Sequence, residues 1–201
     1  MWSTVATAVL GGLGIVLNGL LAWPQAWRAA HDVAGIALGT VLTGFLGRVL
    51  WSAYAVHAAD PALFAGQAPV AVGFAAIAFF VGRARRRMRL PLAAGMLAGL
   101  VVSVVLVVRT PPVLAAAAIV VAAAVNVPQM VRVLRDPASA GGVSAAMYWL
   151  TASASATWLT YGVVVHDLAI SAPHVVLLPT AVLTAVAVRR AKTTAPDPGC
   201  R

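Results

Sequence analysis

Seven stretches of the chain are almost purely apolar and each is long enough to cross a hydrocarbon core as a helix, which takes about 20 residues. They fall near 5–27, 36–56, 61–81, 90–108, 113–131, 143–165 and 168–188, separated by short polar breaks. The pattern predicts an all-α membrane protein with seven transmembrane helices. Proline and glycine recur inside the runs, which lipid-embedded helices tolerate when neighbours satisfy the freed backbone groups. No Arg or Lys precedes Arg28. The first run therefore lacks the basic lead of a cleaved signal and reads as a retained helix.

The polar breaks repeat. Pro24-Gln25, Arg28 and Asp32 return in the same spacing as Pro128-Gln129, Arg132 and Asp136, 104 positions on. Trp51-x-x-Tyr54 and Asp60 return as Trp158-x-x-Tyr161 and Asp167, 107 positions on. The three extra residues are assigned to the loop 137–139. Two registered copies with an insertion in a turn are the mark of a duplicated module. An odd helix count then implies three helices, a linker helix and three helices, because without helix 4 the second module would enter the membrane inverted. The expected division is 1–83 for the first triple-helix repeat and 84–110 for a basic loop with linker helix 4. The second repeat follows at 111–192 and a flexible tail at 193–201. Parallel repeats of this kind place a substrate path at their interface near the midplane.

Composition agrees: 62% of residues are hydrophobic and 9% charged, with a mean hydropathy of +0.94. The net charge of +9 would suggest nucleic acid in a soluble chain, but here it sets orientation. With the N-terminus outside, Arg28, Arg83, Arg85, Arg86, Arg87, Arg89, Arg132, Arg135, Arg189, Arg190, Lys192 and Arg201 all fall inside, and Arg109 outside. That is a positive-inside pattern, expected of a multi-pass cell-membrane protein with a cytoplasmic C-terminus. The single cysteine, Cys200, excludes an internal disulfide framework and a cysteine metal site. Paired intramembrane carboxylates, clustered metal ligands and a nucleophile with an evident base are absent from the sequence pattern, so neither an enzyme nor a cofactor is expected.

These motifs together resemble the PQ-loop group, which includes the SWEET and SemiSWEET sugar transporters, over roughly 15–70 and 123–177. The carriers are Pro24-Gln25, Asp32-Val-Ala-Gly35-Ile36 and Trp51-x-x-Tyr54, with Pro128-Gln129, Gly142-Val143-Ser144 and Trp158-x-x-Tyr161-Gly162 in the second copy. The resemblance implies a two-repeat, seven-helix transporter of the bacterial type, working by alternating access, in which Pro24 and Pro128 act as hinges. A helix-interior proline removes a backbone bond and kinks its helix; the plainer alternative is that each terminates its helix. Gln25 and Gln129 would satisfy freed carbonyls or close a cytoplasmic gate. In the family the motif tryptophan and an asparagine sixteen residues later form the substrate pocket. Here those positions hold Trp51 with Gln67 and Trp158 with His174. Both replacements still hydrogen-bond a polyol, and His174 adds a group that can protonate. Packing is the competing role for both tryptophans and for His174.

Arg48 lies one helical turn before Trp51 and shares its face, although its repeat counterpart is Ser155. An intramembrane arginine normally faces the protein interior or a wet cavity. The five acids Asp32, Asp60, Asp136, Asp167 and Asp197 all fall outside the expected spans, leaving Arg48 to hydrogen-bond carbonyls or receive an anionic substrate group. Asp32 and Asp136 read as loop charges, gate residues or proton-linked carboxylates. Asp60 and Asp167 are expected to cap the third helix of each repeat, where an acid suits the helix dipole. Thr151 and Ser155 share the Trp158 face within a run of small residues suited to close helix approach. The expected function is transport of a small polar solute, with a mono- or disaccharide first. The alternatives are a proton-coupled amino-acid or organic-acid transporter and a non-transporting receptor on the same scaffold. The partners expected are that solute, the bilayer and further copies of the chain, with no nucleic acid.

Overall fold

The computed structural model describes residues 2–33, 36, 38–109, 111–136 and 143–194, except the side chains of 2, 3, 111, 123–126, 128, 129, 192 and 194. Among these residues the chain is all-helical. In order come α1 (Trp2–His31), α2 (Leu38–His57), α3 (Pro61–Ala84), a 3-10 turn (Arg86–Met88), α4 (Arg89–Arg109), α5 (Pro111–Arg135), α6 (Ala145–Val164) and α7 (Leu168–Thr194). Each coincides with one of the seven apolar runs. Four of the described segments, Thr4–His31, Pro61–Ala84, Arg86–Arg109 and Leu168–Ala191, are long and apolar enough to cross a membrane by length and composition. The α2 and α6 helices are not among these four and are richer in hydroxyl residues. Each packs against the opposite repeat, α2 on α5 and α6 on α1, and α6 buries Ser155 and Thr157 there while Ser153 and Thr160 stay exposed.

Helix order in space differs from order in sequence. The third helix of each copy packs on both of the others, α3 on α1 and α2, and α7 on α5 and α6. The two groups meet through α1 on α6 and α2 on α5. Under the duplication α1 corresponds to α5 and α2 to α6, so these two contacts are the same contact seen from opposite halves. The α4 helix lies mainly along α2. Gly95 and Gly99 face the side chains of Leu42 and Leu46, and Ser103 is buried on the same face. Small residues at every fourth position let α4 approach closely.

The duplication extends to single backbone angles. Ala59 and His166, at equivalent positions in the turns after α2 and α6, are the two described non-glycine residues with positive φ, 51° and 58°. In each turn the following aspartate N–H reaches back to the helix, Asp60 to the Ala55 carbonyl at 2.9 Å and Asp167 to the Gly162 carbonyl at 2.8 Å. The left-handed residue itself bonds three back, Ala59 to Val56 and His166 to Val163, both at 3.2 Å. This is the Schellman ending, which normally uses glycine. Ala59→Gly is therefore expected to stabilise the chain by about 0.5–1 kcal/mol, the Cβ penalty less the entropy of glycine. An unchanged or lower Tm in detergent would show that the turn carries no such strain.

The chain entering the polar end is clamped by an arginine. Arg85 donates through Nη1 to the Ile36 carbonyl at 2.9 Å and through Nη2 to the Val33 carbonyl at 2.8 Å. It ties the start of the α3–α4 connection to the α1–α2 connection, a structural role beyond the orienting charge that the sequence suggested.

Candidate functional site

Six helices enclose one cavity of about 160 Å³, and α4 contributes nothing to it. At roughly 30 Å³ per liquid water, this is space for about five waters, hence for a small solute. Its walls are built from equivalent positions of the two repeats: Gly44 with Thr151, Gly47 with Ala154, Arg48 with Ser155, Trp51 with Trp158, Leu63 with Ile170, and Gln67 with His174. All five residues expected to bind substrate, Trp51, Gln67, Trp158, His174 and Arg48, are thus brought together. Thr151 and Ser155 line the same space, so their shared face serves the cavity as well as packing.

The two tryptophans are not seated alike. Trp158 lies in a slot between helices, where a Cβ added at Gly14 would come within 2.7 Å of its ring and one at Gly66 within 2.6 Å. Only glycine leaves room on both sides. The repeat counterparts of these glycines are Ala118 and Pro173, which offer no such slot. Accordingly Trp158 is 2% exposed and Trp51 7%. Gly66 is held further by Asn18, whose Nδ2 donates to its carbonyl at 3.0 Å.

Polar groups cluster on the first-repeat wall. Arg48 Nη1 donates to Gln67 Oε1 at 2.6 Å, linking α2 to α3 across the cavity edge. Ser52 Oγ donates to the Arg48 carbonyl at 2.8 Å. The opposite wall holds Ser155 and His174, and His174 Nδ1 is buried with no hydrogen-bond partner, as is Trp158 Nε1. The cavity therefore has polar groups on both walls, Arg48 and Gln67 on one and Thr151, Ser155 and His174 on the other, with apolar surface at both indoles.

One end is shut by a contact the sequence did not suggest. Tyr54 donates from its hydroxyl to Asp167, 3.0 Å to Oδ1 and 2.8 Å to Oδ2. Tyr161 does the same to Asp60, 2.8 Å to each oxygen. Each repeat gives its tyrosine to the other's aspartate. Both carboxylates also cap helices as expected, Asp60 accepting from Leu63 N at 2.8 Å and Asp167 from Ala169 N at 2.9 Å. Beneath them the indoles meet the tyrosine rings edge-on, with centroids 5.7 Å apart for Trp51 and Tyr54 and 5.3 Å for Trp158 and Tyr161. At the other end the exposed Thr43 lines the cavity.

The proline-glutamine pair is placed only in part. Pro24 sits inside α1, which continues to His31, so it does not end its helix. Pro24 lies on an apolar outer face with Leu20, Trp23 and Trp27, and Gln25 is exposed and is not among the residues lining the cavity. The α5 backbone runs on through position 128 to Arg135, while the side chains of Pro128 and Gln129 lie outside the described residues. Asp32 and Asp136 are exposed just past the ends of α1 and α5, each with its N–H on the carbonyl of the arginine four residues earlier, at 2.8 and 2.9 Å.

Two three-helix groups around a shared cavity define the architecture of a known transporter fold. The structure is similar to the 3.7 Å structure of a eukaryotic SWEET transporter, with a TM-score of 0.81 and 15% sequence identity over 96% of this chain and 100% of that one. No family's sequence profile matches the chain. No curated protein matches it either. The fold is thus that of a SWEET transporter, reached with very little shared sequence.

Proposed function

We propose that the protein is a membrane transporter, not an enzyme, that moves a small polar solute by alternating access between two parallel three-helix repeats. Residues 1–83 form the first repeat, 84–110 the linker with α4, 111–192 the second repeat and 193–201 the tail. The seven helices span the cell membrane with the N-terminus outside. The observation that carries this reading is the cavity lined by equivalent positions of both repeats and closed at one end by exchanged tyrosine-aspartate bonds. A receptor needs a recognition surface but has no use for a chamber shared by two like-oriented halves.

In this reading the conformation is closed at the outer end, where the α2–α3 and α6–α7 turns lie, and accessible past Thr43. Trp51 and Trp158 supply flat apolar surface to the solute, and Gln67, His174 and Arg48 supply hydrogen bonds. Pro24 and Pro128 provide bending points, since each leaves a helical carbonyl unbonded. His174, Asp32 and Asp136 are the groups through which a proton gradient could couple. Sugars, amino acids and organic acids share the required size and polarity.

Counterflow in proteoliposomes, run against a panel of these three solute classes at two pH values, tests the proposal. Exchange of at least one class is expected, falling about tenfold or more in Trp51→Ala, which removes a cavity wall without emptying the Trp158 slot. Purified, folded protein that exchanges nothing in the panel would rule the reading out.

A further inference from the structure

The cavity contains a cation with no anion. Arg48 is the one arginine or lysine among its lining residues, and no aspartate or glutamate lines it. Among the described residues the acids are engaged elsewhere or lie beyond the helix ends: Asp60 and Asp167 hold Tyr161 and Tyr54, and Asp32 and Asp136 follow α1 and α5 at the opposite surface. The side-chain hydrogen bond of Arg48 runs to a neutral amide oxygen, Gln67 Oε1. A guanidinium has five N–H donors in a fixed fork, and a single amide acceptor satisfies a fraction of them. A charge kept in a low-dielectric site persists there only when something compensates it.

We infer that the solute carried by this cavity bears one anionic group, a carboxylate, which docks on the free edge of the Arg48 guanidinium. The inference rests on the transport reading above and names its substrate class. Gln67 is a positioning residue: it is itself 5% exposed, and its bond to Nη1 fixes the plane of the fork so that the remaining N–H groups face a planar two-oxygen acceptor. The rest of the solute lies towards Ser155 and His174, which are the second-repeat counterparts of Arg48 and Gln67. One guanidinium selects a monoanion, since a second charge would find no partner. Docking also neutralises the chamber, so that the loaded protein carries no unpaired charge while it changes conformation.

The test uses full-length protein in detergent and in liposomes. The probes are monocarboxylates from acetate to hexanoate with lactate and gluconate, each paired with its primary amide, plus glucose. Binding is read by thermal stabilisation and titration, and movement by counterflow. At least one carboxylate is expected to bind about tenfold or more tightly than its amide, the charge-assisted contact setting the difference. Arg48→Gln should abolish that preference, Arg48→Lys should keep part of it, and Gln67→Leu should reduce it without abolishing it. Amides or glucose binding as tightly as every carboxylate overturns the inference, as does a preference that survives in Arg48→Gln. If Arg48→Gln does not fold, the wild-type carboxylate-amide comparison and Arg48→Lys still decide. Glucose exchange without carboxylate binding would remove the inference and leave the transport reading. Arg48-dependent carboxylate binding without flux would do the reverse.

Discussion

Gly66→Val is expected to destabilise the protein by about 3 kcal/mol or more, the upper range for forcing volume into a packed core. The ring of Trp158 cannot step aside, because the added carbon at 66 would meet it at 2.6 Å while the Gly14 backbone confines it from the other helix. The indole is a rigid plate, so relief requires α1 and α3 to separate. That would also break the Asn18 to Gly66 bond. Gly12→Val is the control, since nothing lies within 4 Å of a Cβ there. Trp158→Phe, which removes the far ring, should recover part of the loss in the double variant, giving a coupling energy between the two sites. Thermal unfolding in detergent reads the parent, the three single variants and the double variant. Equal Tm values for Gly66→Val and Gly12→Val would mean that the slot is not packed as described.

The second large effect concerns the tyrosine-aspartate exchange. A hydrogen bond to an ionised group contributes about 1.5–3 kcal/mol, and two such bonds hold the turn end closed. Shifting a two-state equilibrium from 1:99 to 99:1 takes about 5.5 kcal/mol. The double variant Tyr54→Phe with Tyr161→Phe therefore comes close to reversing the balance, whereas each single variant moves it partway. Ala55, 1% exposed beneath the latch, makes a reporter as Ala55→Cys once Cys200 is replaced by serine. Maleimide applied from the turn end should leave the parent unlabelled, label the single variants slowly and label the double variant fast. Identical slow labelling in all of them would show that closure rests on the packing of Leu63, Trp158 and Ile170 rather than on these bonds.

Much of this was legible in the sequence because duplication leaves two observations of every constraint. A lone Trp-x-x-Tyr is ambiguous, but its return with an aspartate at constant offset fixed the pairs Trp51 with Trp158 and Gln67 with His174, and all four line one cavity. Asp60 and Asp167 were readable as helix caps because capping is local. Their tyrosine partners were not, since Tyr54 lies 113 residues from Asp167 and the pairing depends on α1 meeting α6 and α2 meeting α5. The Arg48 to Gln67 bond hid for a related reason: both were assigned to the cavity and to the first repeat, but the sequence does not tell how α2 and α3 are turned against each other. Gly14 was invisible among Gly11, Gly12 and Gly14, since only the neighbour's ring distinguishes them. Gln25 was expected near a gate from its proline; it is exposed and shares the α1 face of the cavity-lining Asn18 and Leu21, since seven residues return a helix to nearly the same direction. The three-residue insertion at 137–139 lies outside the described residues.

The exchange of side chains between halves has a further consequence for ancestry and design. Two identical half-length chains paired about a twofold axis could reproduce the outer bonds, because each would lend its hydroxyl to the other. They could not reproduce the chamber: identical partners contribute every group in duplicate, so such a pair holds either two guanidiniums or none. Joining the halves in one polypeptide is what permits an odd number, with serine standing at 155 opposite the single arginine.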